Sequence, residues 1–195
     1  MKNLKILFTI ILAALLFTAC KKDSTDKTKK YSEENPLADY LAATGFDQNT
    51  TPQVNLGVYR ELGFTFTPKV KGEIHAVTVK IPDNADNIRV TIWKVSDKSV
   101  LKTINITDLT AGDEKKESIN PIILEKDVQY LISFNTNDVY VHFRTDQGNV
   151  TYPIVAGNLT IDGCWARIGT AQAYPEDYFF DAYEGDVSFI FQQTE

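Results

Sequence analysis

Leu62-Gly63-Phe64-Thr65-Phe66-Thr67-Pro68, followed by Lys71-Gly72-Glu73-Ile74-His75-Ala76-Val77-Thr78-Val79-Lys80-Ile81-Pro82, decides the fold class. Leu62, Phe64 and Phe66 alternate with Gly63, Thr65 and Thr67, and His75, Val77, Val79 and Ile81 alternate with Ile74, Ala76, Thr78 and Lys80. A period of two among aromatic and β-branched residues marks strands with one face in a core, and Pro68 and Gly72 break the chain between two of them.

The same pattern continues downstream. Ile88, Val90 and Ile92 alternate up to Trp93, and the turn Ser96-Asp97-Lys98 leads into a hairpin partner over 100–106. Residues 108–117 read as a polar loop, and 119–124 as a strand that Pro121 confines to a sheet edge. Further strands carry Val128, Tyr130, Ile132 and Phe134, then Val139, Val141 and Phe143, then Leu159, Ile161 and Trp165 over 158–168, and finally 187–191. Upstream, Asn35-Pro36 pairs an N-cap with a first-turn proline, and Gly45 is a fitting stop, so one short helix is expected over 36–44, lying on one end of a sheet. Residues 47–52 read as loop. About ten short strands and one helix predict an all-β, single β-sandwich or jelly-roll-like domain over 35–195.

The run Leu62-Gly63-Phe64-Thr65-Phe66, Gly72-Glu73-Ile74, Val77-Thr78-Val79, Val90-Thr91-Ile92-Trp93 and Leu124-Glu125-Lys126-Asp127-Val128-Gln129-Tyr130 resembles a family of bacterial extracellular β-sandwich domains of unknown function. The resemblance spans residues 55–145. It implies glycan or matrix contact and carries over no catalytic residue.

Residues 1–19 have the three parts of a secretory signal: basic Lys2 and Lys5, an apolar run from Ile6, and small residues at its end. The ending Leu16-Phe17-Thr18-Ala19-Cys20 resembles the lipobox of bacterial lipoproteins, with Phe17 in the place usually held by Leu. That resemblance implies a lipid on Cys20 after cleavage. Residues 20–34, rich in Lys, Asp, Ser and Thr, then form a disordered tether. Lys21-Lys22-Asp23 and Asp23-Ser24-Thr25 resemble the export and O-glycosylation signals of small Bacteroidota surface lipoproteins, which implies anchorage to the outer membrane, facing outward.

The charge balance excludes some partners. Without residues 1–19 the chain holds 18 basic and 26 acidic side chains, a net charge of −8. Nucleic acid needs a basic footprint, and so does electrostatic attachment to anionic lipid, so the membrane is met only through the lipid anchor. Cys20 and Cys164 are the two cysteines, which leaves Cys164 a small buried residue beside Ala166 and Ile168 and predicts a monomer without disulfides.

No sequence motif declares a chemistry. His75 and His142 lack zinc-ligand spacing, and His75 reads as a half-buried histidine sharing a face with Val77 and Val79. No cofactor is expected. The acids Glu176, Asp177, Asp181, Glu184 and Asp186 crowd one loop, where a calcium ion would find oxygen ligands but not the spacing of a calcium loop. The same carboxylates would have to serve a polysaccharide-acting hydrolase, the alternative to a non-enzymatic reading.

Aromatic residues point instead to a binding or adhesion module for a glycan or a surface protein. Trp93 falls out of phase with its strand and is expected to pack under a loop or the helix. If Val139, Val141 and Phe143 face the core, then Tyr140, His142 and Arg144 line the opposite face. A ring, an imidazole and a guanidinium in a row suit a sugar, with Trp165, Tyr174 and Tyr178 as walls. The competing reading packs Tyr140 and Arg144 on the ring-rich loop, paired with Asp177 or Asp181.

Overall fold

The computed structural model describes residues 29–195, and the described fold is the compact unit 31–195. The expected signal segment, Cys20, residues 20–28 of the expected tether and the motifs at 21–25 lie outside the described residues.

The fold is all-β and sandwich-like, as the alternation predicted. Its strands are β1 (Glu33–Glu34), β2 (Asn49–Gln53), β3 (Arg60–Pro68), β4 (Gly72–Lys80), β5 (Ala85–Lys94), β6 (Ser99–Leu109) and β7 (Glu114–Leu124). After them come β8 (Tyr130–Thr136), β9 (Val139–Phe143), β10 (Ile154–Ala156), β11 (Leu159–Ile168), β12 (Asp177–Phe179), β13 (Ala182–Glu184) and β14 (Asp186–Gln193). All pairings are antiparallel. One sheet runs β1-β14-β4-β7, a larger one β10-β11-β3-β8-β5-β6 with β12 also on β11, and a small one β13-β9-β2. β3 and β4 are therefore consecutive strands in different sheets, and their inward faces form the core. Leu62, Phe64 and Phe66 from β3 are buried, and the Phe64 and Phe66 rings meet Phe189 of β14 at 6.2 and 4.5 Å.

The helix α1 (Pro36–Thr44) starts and stops where its caps dictate. Asn35 Oδ1 accepts from the Leu37 N–H at 3.3 Å, and Gly45 takes the left-handed conformation at φ 75° that favours glycine. Its Tyr40 is fully buried against Phe46, Phe64 and Tyr183. Pro121 lies in β7, an edge strand, as expected.

Several expectations need correction, and most trace to bulges. A bulge inserts one residue and reverses the facing of everything beyond it. In β4 one falls between Ile74 and Ala76, so Ile74, not His75, shares the core face with Val77 and Val79. His75 is half-buried with Nε2 3.6 Å from Glu33. In β11 a shift between Ile161 and Gly163 puts Leu159, Ile161, Cys164 and Ala166 inside and turns Trp165 out, and Ile168 beyond them is 66% exposed.

Part of the segment expected as tether belongs to the fold. Glu33 and Glu34 form β1 on β14, and Glu34 Oε2 accepts from the Asn158 N–H at 2.7 Å, so the fold begins before residue 35. The expected loop 47–52 holds a 3-10 turn (Phe46–Gln48) and β2, whose polar side chains and Pro52 suit an edge. The expected loop 108–117 is mostly the ends of β6 and β7.

Candidate functional site

The outer face of the seven-stranded sheet carries the candidate site. Opposite the core residues of β3 stand Glu61, Gly63, Thr65 and Thr67, and β5, β8 and β11 add Trp93, Ser133 and Trp165 to the same face. A carboxylate is buried here: Glu61 is 1% exposed, held by Arg89 at 2.7 Å and by the Ser133 hydroxyl at 2.7 Å. Ser133 in turn accepts from the Trp93 indole N–H at 2.9 Å. Burial of a carboxylate is tolerable only with such partners.

Segment 169–176 leaves β11 and straps over this polar face. Its Thr170 carbonyl accepts from Arg89 at 3.0 Å, its Gly169 carbonyl from Asn135 at 2.9 Å, and Gln172 donates to Thr103 at 2.7 Å. Tyr174 then sits edge-on to Trp93, with ring centroids 5.8 Å apart. Trp93 is thus packed beneath a loop, 3% exposed, and is no surface ligand site.

Where the strap returns to β11 it leaves a groove of about 420 Å³, walled by Trp165 and Tyr174 and floored by Thr65. Gln129, Asp162 and the pair Lys98–Glu176 supply its polar rim. Trp165 donates its indole N–H to Thr65 Oγ1 at 3.0 Å, which fixes the ring plane while leaving the ring half-exposed. Asp162 accepts from Thr67 at 2.6 Å, from Gln129 at 3.0 Å and from Thr160 at 3.0 Å. With its Nε2 tied to Asp162, Gln129 keeps its carbonyl Oε1 to accept from a ligand. Lys98 lies over the Tyr174 ring at 5.4 Å and bonds Glu176, whose carboxyl its ammonium holds below the usual range. Burial, with help from Glu176, raises the Tyr174 phenol.

The six candidate ligand residues do not form one site. Trp165 and Tyr174 share the groove, and Tyr178 stands directly opposite Trp165 across the β11–β12 ladder, with ring centroids 5.0 Å apart. The row on β9 is elsewhere, in the small sheet, and is not a row of exposed groups. His142 is 6% exposed: its Nε2 lies 2.5 Å from Asp186 Oδ1 and its Nδ1 3.1 Å from Thr50. Its cross-strand neighbour Tyr183 points into the core against Tyr40 and Phe64, which makes the His142 face the inner one. Tyr140 lies under Lys80, 5.3 Å from the ring centroid. Arg144 makes a two-pronged pair with Asp146, at 2.8 and 2.6 Å, rather than with Asp177 or Asp181. That pair, with the Gly148 N–H, holds the Asp146 carboxyl well below the usual carboxylate range.

The acidic loop also disperses. Glu184 pairs with Arg60 at 2.8 Å, Asp186 with His142, and Glu176 with Lys98, while β12 and β13 separate them. Among the described residues no group of three or more His, Cys, Asp or Glu side chains is placed to hold a metal ion.

Gln129, Asp162, Lys98 and Thr65 were not singled out from sequence as site residues. The outward phase of Thr65 and Thr67 was visible, but the bulge that brings Asp162 and Trp165 to the same face was not.

A search among curated proteins gave no match. A family model described as Domain of unknown function (DUF4082) matches residues 47–183, from the 3-10 turn through β13, which includes the groove and leaves α1 and β14 outside. That match covers well over half of the chain, and the protein belongs to this family of domains of unknown function.

Proposed function

We propose that the protein is an outward-facing, lipid-anchored binding module whose groove takes a glycan. The observation that carries this reading is the pairing of a half-exposed, immobilised Trp165 face with hydrogen-bonding groups set around it. Small-ligand sites combine apolar rings for contact area with a few fixed polar groups for orientation. A pyranose offers both counterparts: C–H faces for the ring, and hydroxyls for Gln129 Oε1 and Asp162.

Hydrolysis is the weaker alternative. A general acid needs a carboxyl held above its usual range, and Lys98 holds the groove's Glu176 below it. Asp181 stands exposed and Glu184 is tied to Arg60, so the loop acids share no centre that would favour hydrolysis.

Trp165→Ala and Tyr174→Ala should each lower retention on immobilised polysaccharides by roughly tenfold, with the circular dichroism spectrum unchanged. Retention equal to that of the unaltered protein would remove the groove from consideration. Attachment through Cys20 rests on the lipobox resemblance, because two or more acyl chains hold a protein stably in a bilayer where one does not. Cys20→Ser should therefore move the protein from the membrane to the soluble fraction, and continued partition with membranes would contradict the anchor.

A further inference from the structure

Two exposed rings continue the line that begins at Trp165. The Trp165 and Tyr178 centroids are 5.0 Å apart, and those of Tyr178 and Phe180 are 6.1 Å apart. Tyr178 is 43% and Phe180 44% exposed, an uncommon outlay for two large rings two residues apart. Tyr178 faces Trp165 across the ladder, and Phe180, in the bend just past β12, keeps its ring against Tyr178, so the three rings are contiguous. Phe179, between them, packs on the core instead.

The row is built rather than incidental. Gly163 lies beneath the Tyr178 ring, where a Cβ would come within 2.6 Å of its Cε2 and 3.2 Å of the Trp165 Nε1. Only a residue without a side chain lets the two rings settle side by side on β11. The inner edge of Tyr178 is supported by Tyr152, at 6.0 Å, and the Phe180 carbonyl accepts from the Val150 N–H at 2.8 Å. Each ring is thus fixed at its root and open at its face.

The charge along the path is on balance acidic, with Asp162, Asp177 and Asp181 against Arg167. Glu176 pairs with Lys98, and Asp162 receives three donors. What this surface offers is ring faces interrupted by hydrogen-bonding groups, beside acids that would repel an anionic chain.

Resting on the glycan reading of the groove, we infer that the site binds an extended, uncharged polysaccharide chain several sugars long. The chain runs from the groove between Tyr174 and Trp165 outward over Tyr178 to Phe180. Gln129 and Asp162 orient one sugar in the groove, and Tyr178 and Phe180 each stack a further one. A single sugar would use the groove alone and leave the two outer rings without a task.

The test is titration calorimetry of the full chain with neutral β-1,4-glucan, xylan and mannan oligosaccharides of two to six sugars. Affinity for at least one series should rise with length. Tyr178→Ala and Phe180→Ala should each lower the affinity of the longest oligomer by roughly three- to tenfold while leaving the disaccharide unaffected. Phe180→Ala serves alone if Tyr178→Ala, which loses contacts to Tyr152 and Trp165, fails to fold. Affinity independent of length would overturn the extended row while leaving the groove intact. No binding by any oligomer would overturn the row and the groove reading together. Self-association in sedimentation that Phe180→Ala abolishes would assign the rings to a second copy of the chain and overturn the inference.

Discussion

Cys164 shows how much one residue's surroundings decide. The thiol is 2% exposed and lies 2.8 Å from the Tyr40 hydroxyl and 3.2 Å from that of Tyr152. Burial pushes it up to about 11 from an ordinary 9.0, so it is not the thiolate that nucleophilic chemistry needs. Burial first, and Cys164 next, raise the phenols of Tyr40, Tyr152 and Tyr183 well above their ordinary 10.0. Four acids are thus held neutral in the folded state. In the unfolded chain they ionise at ordinary values, so above pH 9 the unfolded state binds fewer protons than the folded one. The Cys164 contribution is whole below pH 9 and is lost as pH rises through 9 to 11, and that of the three tyrosines is whole below pH 10 and is lost above it, by at most about 1.4 kcal/mol per pH unit for each group. The melting temperature should fall from pH 9 and more steeply above pH 10, where Tyr40→Phe should lessen the slope. A flat profile to pH 10.5 would mean the cluster is not buried as described.

Strands with an apolar face were legible in sequence, and strands without one were not. β3, β5 and β8 each present alternating large apolar residues to the core, and their alternation announced them. β1, β2 and the facing ends of β6 and β7 lie at sheet edges with polar side chains, so no period of two survives to be read. Facing was lost where a bulge intervened, as between Ile74 and Ala76, where the shift puts Ile74 rather than His75 on the core face with Val77 and Val79. On β9 the error had another cause: His142 is polar yet faces inward, because Asp186 of β14 and Thr50 of β2 meet both its nitrogens. An alternation argument assigns polar residues to solvent and cannot see such partners. β1 carries a consequence for stability. Its two residues pair with Gln192 and Phe191, and Glu34 also bonds Asn158 at 2.7 and 2.6 Å. A chain beginning at residue 35 should melt several degrees below one beginning at residue 29, since the loss of two or three such hydrogen bonds costs about 1–3 kcal/mol. Equal melting temperatures would return residues 31–34 to the tether.

Across the whole molecule, one sheet face builds the core and the opposite face of the same sheet builds the groove. The two tryptophans divide between these duties. Trp93 is sealed under the strap with its indole N–H on Ser133, and Trp165 stands in the groove with its indole N–H on Thr65. A two-dimensional ¹⁵N–¹H spectrum of the full chain therefore contains two indole signals, and each reports on a different depth of the same face. Titration with a soluble hydrolysate of mixed plant and microbial polysaccharides tests the central claim most directly. The groove account predicts that the Trp165 indole signal shifts progressively and saturates while that of Trp93 moves little. Two stationary indole signals throughout the titration, or a shift of Trp93 without Trp165, would contradict it.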